Sequence, residues 1–377
     1  MDIGNRKISA RQLGRMAVYD YFPLTTLILP VMLSKSVGMD GFFALSAGGV
    51  AGYALLLLVL SQEQWMRKRG QSYGDFLQTC FGGWLTRLIL LVYLAALWFG
   101  TAYGLQLLCS VSEQYLIRDT SARVILAVIV FLAVFGLWGG VESRGRMYEL
   151  VFWFVLLPFL FLLILAGQNV EPDRWVPVFC AEGPQFFKHS YLVFAFLMGS
   201  ICLPMRSENI SEHADTARVM KQVYIFCISV NLVLFLLLTG IFGAPTVATM
   251  DHAVLTFTAM VKVPGGFLER QDAFLCGIWL ISLFAFVENM MYAMTWCMKR
   301  MRGTQEYRGT LYIAGALVYV LALAMHDSVR LVSWLGTCYV RYVVPVLVGI
   351  VLVSYILMKW REKKSLQGNE TCGEENG

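Results

Sequence analysis

The sequence predicts an all-α, polytopic membrane protein: about ten transmembrane helices in a 5+5 inverted-repeat arrangement resembling amino-acid transporters. Composition, span length and loop charge support this. Of 377 residues, 58% are hydrophobic and only 15% charged, leaving too few polar side chains to coat a soluble surface. The apolar residues gather into stretches near the roughly 20 residues that cross a bilayer core as helix. The basic residues cluster between those stretches on alternate sides. The net charge of +5 therefore belongs to membrane topology, and no nucleic-acid partner is expected.

In chain order the expected spans are 12–33, 42–62, 84–111, 122–141, 147–166, 187–205, 219–243, 272–298, 309–326 and 336–358. Each is long enough by the helical rise, and the ninth is the shortest. The polar first ten residues and the lack of a cleavage site make the first span a permanent one. With the N-terminus in the cytoplasm, 21 of the 30 Lys and Arg residues fall on the inner side, including Arg11, Arg67, Arg144, Arg206 and Arg300. Both termini are then cytoplasmic. Residues 1–364 read as one transmembrane domain. The polar, glycine-containing segment 365–377 reads as a disordered tail. Nine cysteines show no C-x-x-C pairing, so neither a disulfide framework nor a metal site is expected from the spacing. No cofactor is expected either. The four histidines are scattered, and motifs for metalloproteases, hydrolases and phosphate binding are absent, so no enzymatic role is expected.

Two spans carry breaking residues. The first contains Pro23-Leu24-Thr25-Thr26 and ends Leu29-Pro30; the sixth contains Met198-Gly199-Ser200-Ile201-Cys202-Leu203-Pro204. Proline removes a backbone donor and crowds the preceding turn, and glycine loosens the helix. Both spans are therefore expected to be interrupted at membrane depth, where a polar ligand can satisfy the freed backbone groups. Five spans separate the two Leu-Pro pairs, so the halves insert in opposite senses, as in inverted-repeat transporters.

Three segments carry a family resemblance: Ile8-Ser9-Ala10-Arg11-Gln12-Leu13 before the first span, Gly139-Gly140-Val141-Glu142 followed by Arg146, and Gly266-Phe267-Leu268-Glu269-Arg270-Gln271-Asp272-Ala273-Phe274 with Trp279 beyond. Their order and spacing resemble the spore-germination permease family, the B subunits of germinant receptors, over residues 8–360. The resemblance implies the fold of the amino acid–polycation–organocation transporter superfamily and residence in the spore inner membrane. It also implies a small nutrient ligand, often an amino acid, and assembly with A-type and C-type partner subunits, besides contact with membrane lipid. The chain departs from the family in having Pro23, Leu24 and Thr25 where members often carry glycines at the first-span break, and in carrying Glu288-Asn289.

Candidate ligand-binding residues are Phe22, Thr25 and Thr26 in the first span, and Gly199, Ser200 and Ile201 at the sixth-span break. By the implied fold, Gly100 and Tyr103 of the third span face these two spans, and Phe284 and Phe286 of the eighth supply an apolar wall. Tyrosine and phenylalanine in spans also serve plain packing. Glu288 and Asp20 are candidates for ion or proton coupling, because an ionisable group within a span is costly unless it faces the protein interior or water. Glu142, Arg144, Arg146 and Glu149 are expected to form a cytoplasmic loop network. The expected function is nutrient sensing, with a proton-coupled amino-acid or amine transporter of the same fold as the alternative. A scaffold subunit with a vestigial pocket is a third possibility.

Overall fold

The computed structural model describes residues 7–117, 119–211, 215–260, 271–304 and 306–374. The signature 266–274 lies outside the described residues at 266–270 and has no described side chains at 271–274.

The helices are α1 (Ala10–Val37), α2 (Gly41–Lys68), α3 (Tyr73–Tyr115), α4 (Ala122–Trp138), α5 (Gly140–Ala166), α6 (Gly183–Phe196), α7 (Leu203–Arg206), α8 (Thr216–Phe242), α9 (Ala244–Val247), α10 (Ala253–Met260), α11 (Gln271–Arg302), α12 (Tyr307–Asp327), α13 (Val329–Cys338) and α14 (Val344–Glu374). By length and composition, eight helical stretches can cross a membrane. The first of these, Ala10–Lys68, divides at a 3-10 turn, Gly38–Asp40, into α1 and α2. Apolar α4 is shorter. Helix thus occupies each expected span position. Exposed Phe131, Phe135, Leu150 and Ile164 on α4 and α5 form a face suited to lipid tails.

Local chemistry fixes these elements. Ser9 caps α1 in a reciprocal capping box with Gln12, satisfying two otherwise orphaned donors. Ile8 and Leu13, the flanking apolar pair of such a cap, are both fully buried. Ile8 also pairs with the chain beyond α7: its N–H donates to the Asn209 carbonyl at 2.7 Å, and the Ser211 N–H donates to the Ile8 carbonyl at 3.0 Å. Gly140, with φ +76°, passes the chain from α4 into α5 without a loop, a conformation that side chains bearing a Cβ rarely adopt. On α2, a Cβ at Gly48 would stand 2.5 Å from the Ser190 carbonyl oxygen, so α2 and α6 pack backbone to backbone, as small residues permit in membranes. The longest packing seam joins α3 to α11, and α1 lies along α8 and α11.

Two expectations are corrected. The first span is not interrupted: α1 is continuous helix with Pro23 and Pro30 inside it. Thr25 Oγ1 donates to the Tyr21 carbonyl at 2.7 Å and Thr26 Oγ1 to the Phe22 carbonyl at 2.5 Å, adding bonds within the proline-bearing turns. Glu142, Arg144, Arg146 and Glu149 do not form a loop but lie on α5, because the Gly140 turn leaves no residues for one. The described part of α14 ends at Glu374.

The sixth span is interrupted. α6 ends at Phe196, a 3-10 stretch spans Met198–Cys202, and α7 follows.

Candidate ligand site

A cavity of about 310 Å³ lies beside this break, at the small end of ligand pockets (roughly 300–1,000 Å³). On α1 it is lined by Asp20, Leu24, Ile28 and Met32, a stripe at four-residue spacing on one helix face. Gly100 and Tyr103 line it from α3, Met198, Gly199, Ile201 and Cys202 from the break, and Phe286 and Met290 from α11. Val332 and Gly336 of α13, with Tyr339 and Val340 of the π-helical turn Tyr339–Val343, close the last side. A Cβ on Gly199 would stand 3.0 Å from the Asp20 carbonyl oxygen, so α1 and the break touch with no side chain between them.

The other predicted residues sit elsewhere. Phe22 turns into an aromatic core, stacked on Trp279 at 5.2 Å and edge-on to Phe159 at 5.1 Å. Thr25 and Thr26 are fully buried, and Asn231 of α8 donates to Thr25 Oγ1 at 3.0 Å. Ser200 is buried within the break but does not line the cavity, and neither do Phe284 and Glu288 of α11. Phe284 and Glu288 lie two residues from the cavity-lining Phe286, on a different face of the helix.

Beneath the cavity lies a buried charged cluster. Asp20 accepts two hydrogen bonds from the Arg206 guanidinium, at 2.6 and 2.9 Å. The Asn289 amide donates to Asp20 at 3.0 Å and to the Met16 carbonyl at 2.9 Å. Arg144 in turn donates to Asn289 Oδ1 at 2.5 Å. Four helices (α1, α5, α7 and α11) are thereby tied through two cations, one carboxylate and one amide. Arg144 has no carboxylate within ion-pair distance among the described residues; its guanidinium lies over the rings of Tyr148 and Tyr292. Glu288 accepts a hydrogen bond from the Tyr148 hydroxyl at 2.6 Å. Its other oxygen is buried without a hydrogen-bond partner and faces Gly136 of α4. Burying an ionisable group so in a membrane span is costly.

Sequence reasoning missed Arg144 and Arg206, which it treated as topology-setting surface charges. It also missed Leu24, Ile28 and Met32, which a four-residue stripe starting from Asp20 would have found. Tyr339 carried no comparable signal.

A bundle of apolar helices around a cavity at an interrupted helix defines a transporter-like membrane protein. Consistent with this, the fold matches that of a Na⁺-coupled sialic acid symporter in a substrate-bound outward-open state, with a TM-score of 0.65 at 10% identity, over 88% of this chain and 76% of the symporter. The spore germination protein family profile (spore permease) matches residues 7–329, and the chain belongs to that family. Among its relatives, spore germination protein YndE of Bacillus subtilis (strain 168) is 18% identical over 95% of this chain and 98% of its own length. Spore germination protein B2 of the same organism is 23% identical over 69% and 70%. Spore germination protein GerLB of Bacillus cereus is 20% identical over 98% of each.

Proposed function

We propose that this germination-family membrane protein is the nutrient-sensing subunit of a germinant receptor, binding a small amino-acid-like molecule in the cavity between α1, α3, α11 and the sixth-span break. The carrying observation is the coincidence of that cavity with the 3-10 interruption of the sixth span, Met198–Cys202. A 3-10 stretch replaces the usual helical bonding and puts backbone polar groups beside a largely apolar wall. Such a site suits a ligand with a charged head and a short apolar side chain. A signal requires different affinity for two states, and the Asp20–Arg206 pair beside the cavity is where a second packing would differ from the first. By this reading the protein sits in the spore inner membrane with both termini cytoplasmic, and works with A-type and C-type partner subunits.

A second reading, proton-coupled transport, draws on the unpaired Glu288 oxygen. One substitution tests both. Gly100 lines the cavity, and a Cβ there would meet nothing within 4 Å, so Gly100→Leu fills the cavity without a clash from its first added carbon. Spores carrying Gly100→Leu at normal abundance are expected to lose dipicolinic acid release to one nutrient in a panel of amino acids, sugars and nucleosides. An unchanged response overturns the site. Loss of proton-dependent uptake by vegetative cells, with germination intact, would instead carry the transporter reading.

A further inference from the structure

We infer that Cys109, Glu113 and His326 form a binding site for a divalent transition metal of the zinc class, joining α3 to α12 at the end of the bundle where α4 begins. Cys109 and Glu113 lie four residues apart, on one face of α3, and His326 lies in the last turn of α12. Their donor atoms all fall within 4.8 Å of one another. The ligands of a tetrahedral zinc ion, with bonds of about 2.0–2.3 Å, lie roughly 3.3–3.8 Å apart, so a contraction of about 1 Å would close the site on an ion.

The donors are not committed to one another. His326 Nε2 stands 4.0 Å from Glu113 Oε1, beyond hydrogen-bond length. The Cys109 thiol has only a long contact, 3.9 Å, to the Ala122 carbonyl. Glu113 and His326 are each 27% exposed while Cys109 is buried, so an ion can enter from one side and reach the Cys109 sulfur at the inner end, which gives up its proton as it binds. One sulfur, one imidazole nitrogen and one carboxylate oxygen favour zinc over magnesium or calcium, which take oxygen ligands. Three protein ligands leave a fourth position for water. Spacing along the chain could not reveal this group, because only helix packing brings His326 to α3. Two residues beyond His326 the chain turns into α13, whose Val332 and Gly336 line the cavity. A bound ion would therefore brace one cavity wall.

The test uses the full-length chain purified in detergent, with Cys180 and Cys372 replaced by serine to remove competing thiols. Zn²⁺ binding is expected at one ion per chain, weakened at least tenfold by each of Cys109→Ser, Glu113→Gln and His326→Gln. With Co²⁺ as probe, a thiolate-to-metal charge-transfer band should appear in the parent and vanish in Cys109→Ser. Because Cys109 is buried and its substitution can disturb folding, His326→Gln, which is partly exposed, provides the parallel measurement at equal monodispersity. Equal metal affinity in parent and His326→Gln, or bound Co²⁺ without the thiolate band, would overturn the site.

Discussion

Replacing Arg206 by methionine strands the Asp20 carboxylate among apolar helices with a single amide donor. Loss of one partner from a buried ion pair costs about 3–5 kcal/mol. The expected result is a marked fall in thermal stability in detergent for Arg206→Met, with partial recovery in Asp20→Asn/Arg206→Met. Equal melting of the single and double variants would show that the pair is not coupled. Gly136 makes a second test. A Cβ there would fall 2.1 Å from Glu288 Oε1, so Gly136→Ala must displace the Glu288 carboxylate and is expected to lower stability. The loss should shrink in a Glu288→Ala background, with a coupling of at least about 0.5 kcal/mol in the double-mutant cycle; strict additivity would mean that Glu288 does not occupy that space. These side chains also mark the limit of the sequence. Asp20 and Glu288 stand out as carboxylates in apolar runs. Arg144 and Arg206 sit where positive charges are expected for topology, and only the fold shows them buried beneath the cavity.

The segment between α5 and α6 is held by two independent fastenings. Its first half is pinned to α8: the Glu171 N–H donates to the Gly240 carbonyl at 3.0 Å, Trp175 Nε1 donates to the Leu236 carbonyl at 3.1 Å, and Arg174 donates to the Ile241 carbonyl. Its second half is held by Asp40, whose carboxylate accepts the N–H groups of Phe179 and Ala181 at 2.5 and 2.6 Å. Asp40→Ala is therefore expected to speed amide hydrogen exchange severalfold at 178–182 while leaving 171–175 protected. Simultaneous loss across 171–182 would mean that the two halves open as one unit. Helix positions were legible because apolar length and loop charge are strong signals in lipid. Continuity was less so: proline and hydroxyl residues occur in both α1 and the sixth span, yet only the latter breaks. There Gly199 meets the α1 backbone directly, whereas in α1 the threonine hydroxyls bond back to the helix. Sequence shows which residues permit a break, while packing determines whether one forms.

Across the molecule, the cavity is bounded on one side by an unbroken rod, α1, and on another by the short 3-10 piece of the sixth span. The two respond differently to strain. A 3-10 helix rises about 2.0 Å per residue and an α-helix about 1.5 Å. Rewinding the five residues Met198–Cys202 into α-helix would shorten the span by roughly 2.5 Å, while α1 keeps its length. In such a change the 3-10 stretch would act as a telescoping joint with a fixed stroke. The α7 turn that follows it carries Arg206, bound to Asp20 on the rod, and a stroke of that size exceeds what a hydrogen bond of 2.6 Å can stretch to follow. Such a rewinding would require the clasp to slide or let go, and a graded pull at the cavity would then act as a two-position latch.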